Sequence, residues 1–277
     1  MRTQGESPLL EVLRTVAPKR HAHVLRLIGS VPHPLPTGAI GHGIDLAELH
    51  MALDCMAPPG LPEPLLGAVH ERQLCYAGGR YCAELALLSL TGSHVAVPAG
   101  ANGAPLWPSG VSGSITHAGG GAWAAVCPVR RLGMIGLDTE VLVGAQGLND
   151  ILAVCLTSLE RARWFSPPPS EAAAFATALF SAKESVFKAI YPFVGRYIDF
   201  TEFEMTACCE QRSWLRLRPA FASSLSGDVG EVTVHVRYDG ALVHTAARLH
   251  PELATCASSP DVAKENRATS SFPASSA

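Results

Sequence analysis

Apolar blocks alternate along the chain with glycine- and proline-rich punctuation, and the period of each block predicts its structure. Over His70–Leu90 the residues Leu74, Tyr81, Leu85 and Leu88 recur at helical spacing, with Gly78-Gly79 as an expected interruption. Gly113–Ala118 and Trp123–Pro128 read as short strands flanking a Gly119-Gly120-Gly121 turn. Met134–Glu140 reads as a strand, Leu148–Trp164 as a helical stretch and Ser170–Tyr191 as a long helix. Strands are expected near Glu202–Arg218 and over Glu231–Leu249, the latter turning at Asp239-Gly240 between the alternating residues Val232, Val234, Val236 and Leu242. This order predicts an α+β protein of two halves, 1–130 and 131–256, each within the usual domain size. Gly43-Ile44-Asp45 echoes Gly136-Leu137-Asp138 across the two halves, although three residues alone are close to chance. Residues 257–277 are rich in Ser, Ala and Pro with a single aromatic, and read as a disordered tail.

With 277 residues, 48% of them apolar and 16% charged, the chain has ample material for a packed core. A formal charge of −3 removes the electrostatic case for duplex nucleic acid or an anionic membrane as the main partner. Any anionic ligand must then be held by a few local cations. The first residues carry acids and no apolar run of a secretory signal, so the reading is cytoplasmic. The longest uncharged stretch, Leu85–Val129, is broken by eight glycines and four prolines and does not suit a membrane span. Eight cysteines without a C-x-x-C pair are expected as reduced thiols.

Three clusters carry candidate chemistry. In Gly136-Leu137-Asp138-Thr139-Glu140, residues i and i+2 of a strand share a face, so Asp138 and Glu140 project together while Leu137 and Thr139 point away. Two carboxylates so close suit a shared hard cation such as Mg²⁺, or are two unrelated acids at a solvated strand end. In Phe180-Ser181-Ala182-Lys183-Glu184-Ser185-Val186-Phe187-Lys188, helical geometry sets Glu184 on a stripe with Phe180, Phe187 and Tyr191, with Lys183 and Lys188 at its edges. Glu184 is then either paired with Lys188 one turn on, or a third oxygen ligand or general base with the lysines facing phosphate. In Trp107–His117, Thr116 and His117 stand beside each other at a glycine turn and can meet phosphate oxygens, or serve as ordinary structural groups. Arg72 and Arg80, eight apart on the first helix, are candidate anion clamps or solvated arginines. No P-loop, G-x-G-x-x-G, nucleophile elbow or zinc spacing is present.

In this order the segments resemble the 4′-phosphopantetheinyl transferases of the Sfp type, in the branch typified by enterobactin synthase component D. The matching text is R-x-x-x-x-x-G-G-R from Arg72, P-L-W-P-x-G-V-x-G-S-I-T-H over Pro105–His117, G-L-D-x-E over Gly136–Glu140, and F-S-A-K-E-S-x-F-K-A over Phe180–Ala189. The resemblance implies two similar α/β halves about a pseudo-twofold axis, with coenzyme A as substrate in the cleft between them. It implies Asp138, Glu140 and Glu184 as ligands of Mg²⁺, with Mn²⁺ as an alternative ion. Thr116 and His117 would lie at the phosphates, Arg72 and Arg80 would hold the 3′-phosphoadenosine, and Lys183 and Lys188 would be the lysines of the K-E-x-x-x-K motif. The implied reaction moves 4′-phosphopantetheine to a serine of an apo acyl or peptidyl carrier protein, as in siderophore, nonribosomal-peptide and polyketide synthesis, with release of 3′,5′-ADP from a monomeric enzyme. Glu184 would be the base, with Lys188, Asp138 and Glu140 the other catalytic groups. The alternative is a non-catalytic module that binds coenzyme A or a carrier protein. Two departures stand out: Pro98–Gly103 lacks the basic residue many relatives carry before P-x-W-P, and Thr139 replaces the usual aliphatic residue between the acids.

Overall fold

A computed structural model of the chain describes residues 9–100, 103–165, 169–220, 225 and 229–249, and the tail expected over 257–277 lies outside them. The first part contains α1 (Leu9–Val16), α2 (Pro18–Leu27), β1 (Ile40–Asp45), α3 (Leu46–Ala52), α4 (Glu63–Leu66), α5 (His70–Thr91), β2 (Val111–Ala118) and β3 (Gly121–Pro128). A short helix, α6 (Val129–Leu132), leads into β4 (Met134–Val141), α7 (Ala145–Val154), α8 (Ser158–Trp164) and α9 (Pro169–Val194). The strands β5 (Phe203–Cys208), β6 (Trp214–Pro219), β7 (Val232–Asp239) and β8 (Leu242–Leu249) follow. They form two antiparallel sheets, β1-β3-β2 and β4-β8-β7-β6-β5. Helix α5 covers the first sheet and α9 the second, so the class is α+β with two α/β halves.

Three local expectations change in the folded chain. The break at Gly78-Gly79 does not occur, and α5 runs through it. A Cβ at Gly78 would lie 2.8 Å from Leu46 Cδ2, and one at Gly79 2.6 Å from Ile115 Cγ2, so the pair lets the helix close on the sheet. Tertiary packing thus offsets the roughly 1 kcal/mol helix penalty of each glycine. The single helix expected over Leu148–Trp164 is instead α7 and α8, because Thr157 and Glu160 form a reciprocal capping box that starts a new helix. The last hairpin pairs Asp239 with Leu242, which makes Gly240-Ala241 its two-residue loop. Residues before 50 supply α1, α2, β1 and the start of α3.

Each sheet buries a core under its helix, with Phe175, Leu179, Ile190 and Leu215 in the second half and Leu13, Leu49, Tyr81 and Leu87 in the first. A third, smaller core of Ala125, Cys127, Ile135, Leu137 and Ala246 fills the seam where β3 meets β4 and β8. The seven cysteines among the described residues are free. Among those residues, no helix is long and apolar enough to cross a membrane.

Helix α1 is tied down by a carboxylate from α5. Glu84, 3% exposed, accepts hydrogen bonds from Leu9 N at 2.8 Å and Leu10 N at 2.9 Å, two donors that a helix N-terminus cannot satisfy internally. Burial pushes its pKa up from the ordinary 4.5 to about 7, against the lowering by those two bonds and by Arg80. Between these values the folded chain holds a proton that the unfolded chain releases. The contribution therefore favours folding at low pH and is lost as pH rises through about 7. Glu84→Gln removes this titration, so its stability relative to the parent should rise by about 2–3 kcal/mol from pH 5 to pH 8 in urea melts. Parallel pH profiles for the two proteins would contradict it.

Candidate active site

The site lies on the seam, where the edge strands β2 and β4 run side by side without a backbone ladder. Alternate hydroxyls of β2 take its place. Ser112 Oγ accepts from Ile135 N at 3.0 Å, Ser114 Oγ from Leu137 N at 2.9 Å, and Thr116 Oγ1 from Thr139 N at 3.1 Å. All three hydroxyl residues are buried, so these bonds satisfy edge N–H groups that would otherwise be costly orphans. They also set the level of β4 against β2, which places Thr116 and His117 beside Asp138.

On the other side, α9 comes down onto β4 at Gly136. A Cβ there would stand 1.9 Å from Ser185 O and 2.8 Å from Ala189 N, so only glycine admits the helix backbone at this distance. Three buried hydroxyls hold the contact: Thr245 Oγ1 of β8 lies 2.9 Å from Ser181 Oγ and 2.7 Å from Ser185 Oγ. Thr245 pairs with Asp138 across the sheet, so the lock sits at the level of the acids.

Asp138 is the centre of the cluster. It is 3% exposed, and its Oδ1 accepts from Lys188 Nζ at 2.6 Å and from Thr116 Oγ1 at 3.4 Å. Its Oδ2 is buried without a hydrogen-bond partner among the described residues. Burial, then the neighbouring charge of Asp138, push Glu140 up to about 7, with Lys188 opposing and Glu184 adding to the rise. Glu184 is raised as well, first by burial, with Lys188 lowering it and Asp138 raising it. His117 is exposed at the edge of the cluster, and partial desolvation by the atoms packed around it, then the Lys188 charge, outweigh Asp138 and Glu71 to lower its pKa. A hollow lined by Lys183, Glu184, Phe187, Tyr197, Ile198, Asp199, Phe200 and Phe203 opens beside the cluster.

Lys188 does not pair with Glu184 one turn before it; it reaches across to Asp138, because α9 presents it to β4. Lys183 requires a correction. Its ammonium lies on the interior side of α9, 2% exposed, donating to Cys155 O at 2.8 Å, Glu160 Oε2 at 2.8 Å and Phe200 O at 3.0 Å. All three N–H groups are used, so it is a structural cation rather than a phosphate ligand. Thr116 has its hydroxyl committed to β4 and Asp138. Arg72 is exposed near the start of α5, while Arg80 is buried over the Tyr76 ring at 5.0 Å with Nη1 unpartnered among the described residues. Neither arginine is joined by a hydrogen bond or ion pair to the acid cluster. Pattern reading missed Glu160, which binds Lys183, Thr157 N and Met205 N, and the ladder of Ser112 and Ser114. The two-residue spacing of Ser112, Ser114 and Thr116 was the available signal for the ladder.

Among the described residues, no three His, Cys, Asp or Glu side chains stand close enough to hold an ion as they are. The donor set nevertheless suits a hard cation, on two grounds. Asp138 keeps a buried carboxylate oxygen without a partner, and Asp138 and Glu184 both raise the pKa of Glu140.

Two family models match the chain. Residues 61–127 match the 4′-phosphopantetheinyl transferase N-terminal domain, and residues 134–243 match the 4′-phosphopantetheinyl transferase superfamily. The chain is 35% identical over 166 residues to the 4′-phosphopantetheinyl transferase Npt of Nocardia iowensis, covering 59% of this chain and 72% of that protein. It is 32% identical over 179 residues to the 4′-phosphopantetheinyl transferase PptT of Mycobacterium tuberculosis, covering 61% and 75%. It is 33% identical over 159 residues to enterobactin synthase component D of Escherichia coli, covering 54% and 71%. The chain belongs to the 4′-phosphopantetheinyl transferase family.

Proposed function

We propose that this protein transfers 4′-phosphopantetheine from coenzyme A to a serine of an apo carrier protein and releases 3′,5′-ADP. The observation that carries the reading, beside family membership, is the cluster of Asp138, Glu140, Glu184 and Lys188, with a buried Asp138 oxygen still free. In the reaction the serine oxygen forms a bond to the β-phosphorus. The bond from that phosphorus to the bridging oxygen breaks, and the electron pair leaves with 3′,5′-ADP. The serine proton goes to a base on the protein.

Asp138, Glu140 and Glu184 would hold Mg²⁺, which when bound supplies counter-charge to the pyrophosphate and to the three acids. Lys188 contributes a second positive charge at the same place and orients Asp138 through its 2.6 Å bond. Glu184, on the wall of the hollow beside the cluster, would take the serine proton through the carboxylate oxygen that does not touch the ion. His117, with its ring kept neutral more readily than usual, would donate a hydrogen bond to a phosphate oxygen. Arg72 and Arg80 on α5 would meet the 3′-phosphoadenosine end of coenzyme A.

Purified protein given Mg²⁺, coenzyme A and a panel of apo acyl and peptidyl carriers should add about 340 Da to at least one carrier, the mass of the phosphorylated arm. Intact-mass spectrometry reads the shift, and 3′,5′-ADP should appear in equal amount. Carriers left unmodified while another family member converts them would refute the reading.

A further inference from the structure

Residues 28–39 join α2 to β1 and precede the segments matched by both family models. They form a strap over the side of the seam opposite the acids. Gly29 bridges to Gly43 of β1 at 2.8 and 3.0 Å, and Val31 and Leu35 pack over Gly41, where a Cβ would come within 2.8 Å of each. His33 lies between them, 5% exposed, with its ring edge-on to Trp123 and His244.

His33 Nε2 stands 2.9 Å from Thr139 Oγ1, and the same oxygen is 3.0 Å from His244 Nδ1. Thr139 and His244 are each 1% exposed. A consistent polarity has His33 Nε2–H donate to Thr139 and the Thr139 hydroxyl donate to His244 Nδ1. The Thr139 N–H donates to Thr116 Oγ1, which turns its own hydrogen toward Asp138 Oδ1. Burial, then the neighbouring His244, push the pKa of His33 down to about 3 against a hydrogen bond with the Asp138 backbone, so it acts as a neutral hydrogen-bonding ring. An aliphatic residue at 139 would take the hydroxyl partner from both buried imidazoles.

We propose that His33 and His244, acting through Thr139, are positioning residues that hold the acid strand β4 from behind and so place Asp138 and Glu140 for the transfer. Strand parity supplies the leverage. Thr139 points to the strap face while Asp138 and Glu140 point to α9, so a rotation of β4 that loosens one face misplaces the other. A displacement of about 1 Å at reacting groups costs on the order of a hundredfold in rate. The proposal rests on the transferase reading and adds the strap to its machinery.

The test compares Thr139→Val, Thr139→Ser, His33→Leu, His33→Gln and His33→Asn in the full chain. Mn²⁺ binding in the presence of coenzyme A is followed by electron paramagnetic resonance, which needs no turnover, alongside melting temperature, kcat and KM for coenzyme A. T139V and H33L should each weaken Mn²⁺ binding about fivefold and lower kcat about tenfold or more, with KM for coenzyme A within about twofold. T139S should behave as the parent. The double variant T139V/H33L should be no worse than either single one, as expected for members of one network. If T139V fails to fold, H33Q and H33N carry the test. The Gln amide reaches the Nε2 position and should retain binding, whereas the shorter Asn amide should lose it. Variants that melt lower but keep parental Mn²⁺ affinity and kcat while folded overturn the proposal and leave the transferase reading standing. A parent protein that neither binds Mn²⁺ nor modifies any carrier overturns both.

Discussion

Asp138→Asn is expected to lower carrier modification by about a thousandfold or more, because one carboxylate here holds two partners and keeps a free oxygen for an ion. Its Oδ1 fixes the Lys188 ammonium at 2.6 Å and meets Thr116, while its Oδ2 is the buried oxygen with no partner. The amide keeps the volume and one acceptor, so the fold should persist. The cost to stability should stay near 1 kcal/mol, since Lys188 is 28% exposed and can turn toward water. Single-turnover mass spectrometry at saturating coenzyme A measures the loss, and circular dichroism melts check the fold. Parental turnover in the variant would remove Asp138 from the site.

Gly136→Ala carries the largest expected effect on stability. The added Cβ would fall 1.9 Å from Ser185 O and 2.8 Å from Ala189 N, and both atoms belong to the backbone of α9, so no side-chain rotation relieves the clash. The helix must lift from β4, breaking the hydroxyl lock of Ser181, Ser185 and Thr245 and carrying Glu184 and Lys188 away from Asp138. A loss of about 3 kcal/mol or more is expected, read as a fall in melting temperature of roughly 6–12 °C, together with loss of transfer. Gly230→Ala is the control: a Cβ at exposed Gly230 meets nothing within 4 Å, and the cost should stay within about 0.5 kcal/mol. Equal melting temperatures for the two variants would contradict the account of why position 136 is glycine.

These two positions also show how far the residues speak for themselves. The parity of a strand places Asp138 and Glu140 together and Thr139 on the reverse, and the folded β4 carries them so. Lys183 and Lys188, five residues apart on one helix, look equivalent in the K-E-x-x-x-K text. They part in the fold because α9 has β4 on one flank and Glu160 on the other, and each ammonium goes to the carboxylate on its own side. Gly78-Gly79 has the composition of a helix break and serves instead as a flat for the sheet.

What the chain declares by itself is the identity of its acids, the faces they share, its long helices and its final hairpin, since these depend on backbone period and turn chemistry within a few residues. The tertiary structure alone decides which lysine serves the acids, why position 136 must be bare, and that a strap from before residue 40 reaches the back of β4. Those contacts join residues 50, 49 and 106 positions apart, and such distances leave no local period to read.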